Sequence, residues 1–464
     1  MWPLRFASIC AVIIFAESAY ERIGYFWQIT DLHFEPHFSI NGDPRKGCVR
    51  PDNDGGSRSS RKPAGRFGDY SCDAPWALIK SAAETMYSRQ GDNVEFVLWT
   101  GDALSHSARR SSEIQQLELL QNLTDLLAQT FSSQFIFPAL GHDDPLARKE
   151  LGRMWIRWLP TDSITTFDSG GYYLIERKTH KLQIVVLNTN LMKRNDNDEE
   201  ARKQWDWLNI VLQKCQNNKE TVYLVGHMPP GSDERQRGGN HHAHYAYTDH
   251  HNKRYLKLVR KFADIIVGQF FGHLHSDSFR VIYNDNGRPV SWAMIAPSVT
   301  PRRTTDGANN PGLRLYKFDK DTGQVLDYTQ YYLDLGRLSR HPGVIDWEVE
   351  YNFSSYYGLS NISPLSLHTL AEKLTQSSTN EKPSFNKYYK ANSVRMYSSS
   401  TTSCDNCAHT HYCAITRVDY EEYEQCVKTA ASALASSSLG HKNVLYAVVL
   451  LFSLVLSLLP MLTN

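Results

Sequence analysis

Asp31 and His33 stand one residue apart at the end of an apolar run, offering a carboxylate and an imidazole. In extended chain, side chains i and i+2 point to the same face, so both can reach one ligand. Four further elements repeat this pattern: Gly101-Asp102, Gly141-His142, Gly226-His227 and Gly272-His273-Leu274-His275. The glycine before Asp102 clears room around a carboxylate whose two oxygens can bridge two cations. Neutral imidazole nitrogens mixed with carboxylate oxygens form a donor set that zinc takes. One Asp-x-His carries little information. Five polar elements, each ending an apolar run, would need five separate sets of partners if they were only structural. A shared metal site is the simpler reading.

The elements that must position these residues are legible as periodicity. Strand-like runs cover Tyr25–Thr30, Val94–Thr100, Gln134–Leu140, Thr221–Val225 and Asp264–Phe271. Helix-period segments lie between them at Ser111–Phe131, with Ile114, Leu117, Leu120 and Leu123 about one turn apart, and at Asn197–Cys215 and Asn252–Phe262. Strands alternating with helices predict an α/β layered fold with ligands at the strand carboxyl ends. Two hairpins follow: Phe279–Tyr283 with Pro289–Ile295, and Leu313–Phe318 with Gln324–Leu333. Gly238–His251, which holds His241, His242, His244, His250 and His251, reads as a solvated polar loop. Thr375–Thr402, rich in Ser, Asn and Lys, reads as a connecting segment, and the remainder to about Lys428 as a small cysteine-bearing helical appendage.

The chain has 464 residues and a formal net charge of +1, so no global basic field draws it to nucleic acid. Residues 1–18 carry Arg5, a short apolar core and Ala16-Glu17-Ser18, the pattern of a secretory signal peptide. A second apolar run, Val444–Leu462, follows small residues at Thr429–Ser438 and the polar spacer Gly440–Asn443. Together these predict a GPI-attachment signal over 429–464, with a tail-anchored helix as the competing form. The expected division is a catalytic domain over 19–340 and a disulfide-bearing appendage over 341–428. Of eight cysteines, Cys10 leaves with the signal. Cys48 and Cys72 bracket a Gly/Arg/Ser-rich loop that they could close; Cys404, Cys407, Cys413 and Cys426 could form two bridges, leaving Cys215 over. Asn122, Asn352 and Asn361 head glycosylation sequons. A monomer at the cell surface or outside the cell is expected.

The ordered set Asp-x-His, Gly-Asp, Gly-Asn-His, Gly-His and Gly-His-x-His is the signature of the calcineurin-like phosphoesterases, and four of its five blocks are intact. The chain more specifically resembles the acid sphingomyelinase-like phosphodiesterases. The segments that carry the likeness are Ile29–His33, Trp99–Asp102, Phe137–Gly141, Leu187–Asn190, Gly268–His273 and Asn310–Leu315. The tail resembles that of a GPI-anchored member. The resemblance implies a layered β-sandwich flanked by helices and two zinc ions per chain. Asp31, His33, Asp102 and His275 would hold one zinc, and Asp102, His227, His273 and a residue of the Gly141 loop the other. Asp102 would bridge them. His106, four residues after Asp102, matches a histidine lining the phosphate site.

The implied reaction is in-line attack of a metal-activated hydroxide on phosphorus, with a protonated imidazole assisting the leaving alkoxide. Such help is worth about a hundredfold to ten-thousandfold. His106 is the first candidate for that acid and His142 the second. Substrates in such a family are nucleotide phosphodiesters or pyrophosphates and phosphocholine lipids such as sphingomyelin; a surface protein that keeps the fold as a binding module is the alternative. One block departs. Where the family has Gly-Asn-His-Asp, this chain has Gly141-His142-Asp143-Asp144. Aligned without gaps, His142 takes the place of the ligand Asn and Asp143 that of the histidine; with the loop shifted by one, His142 keeps the histidine's role.

Overall fold

A computed structural model of the chain describes residues 22–49, 64–177, 181–235, 245–303, 307–340, 343, 345–376, 383–397 and 407–429. Two six-stranded mixed sheets form the centre. The first has the order β12-β11-β10-β1-β2-β3 and the second β4-β5-β6-β7-β9-β8. In the first sheet β1 (Ile23–Ile29), β2 (Phe96–Trp99) and β3 (Phe135–Pro138) run parallel, so that Ile29, Trp99 and Pro138 lie side by side. On the other side of β1, β10 (Gly312–Asp319), β11 (Val325–Tyr332) and β12 (Glu348–Asn352) add antiparallel strands. The second sheet comprises β4 (Tyr173–Glu176), β5 (Leu182–Val186), β6 (Thr221–Val225), β7 (Ile266–Phe271), β8 (Ser278–Tyr283) and β9 (Pro289–Ile295). Its strands β5, β6, β7 and β9 run parallel.

The strand period of two explains the layering. Ile184, Val186, Tyr223, Val225, Phe270, Trp292 and Met294 face the first sheet and join its core. Their neighbours Val185, Val222, Leu224, Phe271, Ala293 and Ile295 face away and join a second core. That second core is closed by helices Glu199–Asn217 and Asp249–Lys261, through Trp205, Leu208, Tyr255 and Val259. Phe26 sits between the sheets, 4.7 Å from Tyr316, 4.9 Å from Phe96 and 5.3 Å from Phe270 between ring centroids. Helices Trp76–Gln90 and Glu113–Thr130 cover the outer side of the first sheet. The second of these starts on a reciprocal Ser112/Gln115 cap. Its buried face is Leu120, Leu123 and Leu127, whereas Ile114 is 71% exposed.

Two expectations change. Residues 249–261 form a helix capped by Thr248, so His250 and His251 belong to its first turn and not to a solvated loop. His251 is buried, with Trp205 Nε1 donating to its Nδ1 at 3.0 Å. His241, His242 and His244 lie outside the described residues. Within Thr375–Thr402, helix Pro383–Asn392 forms because Phe385, Tyr388 and Ala391 fall on one face and are buried. Helices Pro364–Thr375 and Cys407–Thr416 pack against β8 and β9. Among the described residues no helix is long and apolar enough to cross a membrane. The expected signal peptide at 1–18 and, apart from Thr429, the expected attachment signal over 429–464 lie outside them.

Candidate metal centre

The five polar elements all emerge beyond strand carboxyl ends, and the two sheets bring those ends together. Past β1 and β2 the backbones stay joined: Asp31 N donates to Gly101 O at 3.0 Å and His33 N to Asp102 O at 3.1 Å. The sheets meet where His273 N donates to Asp31 Oδ2 at 2.9 Å. The side chains do not converge by simple strand alternation. Asp31, His33, Asp102, His273 and His275 have φ of 50°, 44°, 51°, 70° and 51°. This left-handed region costs a non-glycine residue about 1–3 kcal/mol and recurs at functional sites. Gly101, at φ +92°, touches the Gly141 loop, and a Cβ there would meet Gly141 N at 2.7 Å and His227 Nδ1 at 2.9 Å.

Two clusters result. In one, His275 Nε2 lies 3.3 Å and His33 Nε2 3.9 Å from Asp31 Oδ1, with the two nitrogens 3.1 Å apart. In the other, His142 Nδ1 lies 2.8 Å and His227 Nε2 3.0 Å from Asp102 Oδ2, with 3.2 Å between the nitrogens. The His273 ring is 4.9 Å from that of His142 and 5.0 Å from that of His227. Within each cluster the possible ligand atoms all lie within 4.8 Å of one another. Asp102 Oδ2 is also 3.7 Å from His33 Nε2, so one oxygen faces both clusters.

The donors fit divalent cations. Asp31 Oδ1 and Asp102 Oδ2 are buried, accept no hydrogen bond, and face imidazole nitrogens. His227 Nδ1 lies 2.8 Å from Thr100 O and His275 Nδ1 2.7 Å from Arg302 O. Carbonyls only accept, so each bond puts the proton on Nδ1 and leaves Nε2 free as a ligand. Burial alone would raise the carboxyl pKa values. The imidazoles override it: His275 holds Asp31, and His227 and His142 hold Asp102, well below the usual carboxylate range. Burial, reinforced by His275, takes His33 down to about 4; burial, with His227 and His142, takes His273 well below its ordinary value. Both are thus in the neutral form that ligates. Burial opposes protonation of His227, but Asp102 lifts it to about 9.

Three residues that sequence reasoning passed over complete the site. Asp144 accepts from the backbone N–H of Asp102 at 3.0 Å, Ala103 at 2.7 Å and Gly141 at 2.7 Å, tying the third loop to the second. Burial and the nearby Asp102 carboxylate push its pKa up to about 6. Asp73 lies 3.0 and 3.2 Å from His106 Nδ1 and accepts from its backbone N–H at 3.2 Å. Arg109 pairs with the buried Asp143 carboxylate. Position beside the Gly141 motif was a signal for Asp144; the sequence around Asp73 and Arg109 holds none. His106 stacks on His33 at 4.8 Å, and its Nε2 is 3.8 Å from Asp143 Oδ2. His142 therefore lies with the second cluster and Asp143 beside His106, as a gap-free reading arranges them.

Elsewhere, Cys48–Cys72 and Cys413–Cys426 are bridged; Cys407 is disulfide-bonded, Cys404 lies outside the described residues, and Cys215 is a buried free thiol. Asn122, Asn352 and Asn361 are exposed.

Two facing mixed sheets with paired Asp/His clusters at their strand ends define a metallophosphoesterase. The chain matches the calcineurin-like phosphoesterase family over residues 24–277 and the acid sphingomyelin phosphodiesterase C-terminal region over 288–433, and it belongs to that family. It is 34% identical to human acid sphingomyelinase-like phosphodiesterase 3b over 428 residues, covering 87% of this chain and 90% of that one. It is 35% identical to bovine cyclic GMP-AMP phosphodiesterase SMPDL3A over 425 residues, with 88% and 91% covered. With Dictyostelium discoideum sphingomyelinase phosphodiesterase C it shares 31% over 431 residues, with 87% and 92% covered. The chain is a metal-dependent phosphoric diester hydrolase.

Proposed function

We propose that the chain is an extracellular two-zinc phosphodiesterase whose substrates are phosphodiester or pyrophosphate bonds of nucleotides, or phosphocholine lipids such as sphingomyelin, with nucleotides ranked first. The observation that carries the two-ion reading is Asp102 Oδ2, buried without a hydrogen bond and facing both histidine clusters. The bovine relative, named for its action on cyclic GMP-AMP, supports the nucleotide ranking. Asp31, His33 and His275 would hold one zinc, and His142, His227 and His273 the other, with Asp102 between. Bound ions would activate a water and neutralise phosphoryl charge.

The protein's own groups do the rest. His106, 18% exposed at its side chain, faces the first cluster across His33 and is placed to hold the proton that the leaving oxygen needs. Asp73 positions it by engaging Nδ1, which leaves Nε2 on the side of Asp143. His142 belongs to the metal and not to the acid role, since Nδ1 points at Asp102 and His227. The disulfides suit an oxidising compartment.

Metal analysis of the purified protein, with turnover of bis-p-nitrophenyl phosphate, tests this reading. Two zinc ions per chain and activity lost in Asp102→Asn are expected. A folded Asp102→Asn protein with near-normal turnover would sink it. Phosphatidylinositol-specific phospholipase C should release the protein from cells if the tail directs a lipid anchor; retention after treatment would mark a membrane-spanning tail.

A further inference from the structure

We infer that the two ion sites are chemically unequal and that His142 makes them so: the site of Asp102, His142, His227 and His273 selects zinc over manganese, whereas the site of Asp31, His33, His275 and Asp102 exchanges the two readily. This inference rests on the two-ion reading above. The first-named site offers three imidazoles and one shared carboxylate; the other offers two imidazoles and two carboxylates. Imidazole donors suit zinc and other late first-row ions, and carboxylate oxygens suit manganese and magnesium. The extra carboxylate also attracts any dication by charge, without regard to its identity.

His142 is held for this task from both ends. Nδ1 lies 2.8 Å from Asp102 Oδ2 and 3.2 Å from His227 Nε2. Nε2 lies 3.7 Å from Asp143 Oδ1. That carboxylate is pinned in turn by Arg109, while the Asp143 backbone N–H donates to Asp102 Oδ1 at 2.9 Å. An asparagine at position 142, as in the family pattern, would place a neutral oxygen there and give both sites two imidazoles and two oxygen donors, differing only by one carboxylate charge. The substitution thus alters which ion is retained, not whether a site exists.

The test is competition on the zinc-loaded, full-length secreted protein. It is dialysed against rising manganese, the ions per chain are counted by mass spectrometry, and bound manganese is read by electron paramagnetic resonance. Wild type is expected to settle at one zinc and one manganese, with the signal of an isolated manganese ion. His142→Asn should go on to two manganese ions, with the signal of a coupled pair, its zinc preference at the second site reduced at least about tenfold. Thermal melting confirms that the variant is folded, and the wild-type titration tests the inference without it. Loss of both zincs from wild type at the same manganese concentration overturns the inference alone, as does a folded His142→Asn that keeps one zinc as firmly as wild type. Saturation at a single ion per chain overturns the two-ion reading and this inference with it.

Discussion

The carboxylate of Asp144 and the backbone of Asp102 are joined by a 3.0 Å hydrogen bond that fastens the loop after β3 to the loop after β2. The same carboxylate accepts from Ala103 and Gly141, so one half-buried side chain closes three backbone donors. It fastens the backbone of the residue that faces both histidine clusters, which lies in the left-handed region at φ 51°.

Asp144→Ala therefore strands three buried N–H groups. Stability should fall by at least about 2 kcal/mol, and bound metal should be lost at lower chelator concentration. Asp144→Asn, which keeps one acceptor oxygen, should fall between. Urea denaturation and metal analysis measure both; an alanine variant with unchanged stability and metal would show that the clamp is dispensable.

Gly101→Ala should be far costlier than Gly287→Ala. Both glycines have positive φ, but a Cβ at Gly101 runs into Gly141 and His227 while that at Gly287 meets open space. A loss of about 1 kcal/mol is expected at Gly287, and several times that at Gly101 with weakened metal retention. Equal melting temperatures for the two variants would contradict the close approach of the loops.

His106 and Asp73 should separate by leaving group. His106→Gln should slow hydrolysis of alkyl phosphodiesters by about a hundredfold to ten-thousandfold and affect p-nitrophenyl esters much less, because a good leaving group needs no proton. Asp73→Asn should show the same selectivity with smaller losses, since it acts by orienting the ring. Uniform losses across leaving groups in both variants would assign the pair a structural role.

The fourth prediction concerns pH and a histidine outside the two Asp/His clusters. His411 is buried beside Tyr388, with its Nδ1 3.9 Å from Glu234 Oε1. Burial pulls its pKa down to about 4, outweighing the Glu234 charge, and nearby arginines add to the effect. An unfolded histidine takes up its proton near 6.5, so the unfolded chain binds more protons between those values. His411 then contributes stability above about pH 6.5 that drains away as pH falls toward 4, by up to roughly 3 kcal/mol. His411→Gln should flatten that part of the profile of melting temperature against pH. An unchanged difference between pH 7 and pH 4 would place His411 in contact with water.

By itself the sequence determined the order of the five polar elements, the strands they terminate, three of the long helices but not Trp76–Gln90, and both hairpins. Each is written in short-range terms: a period of two or 3.6, a glycine before a polar residue, a turn between apolar runs. Tertiary structure alone decided the rest. Asp73 reaches His106 across 33 positions, β10 pairs with β1 though Ile23 and its partner Asp319 are far apart in sequence, and Thr100 and Arg302 lend their carbonyls to His227 and His275. His251, polar and among other histidines, is drawn inward by Trp205. Tertiary structure also brings His142 to Asp102 and Asp143 to His106. None of these follows from periodicity, because each depends on which distant surfaces meet when the sheets pack, and a buried donor or acceptor takes the partner that packing brings within reach.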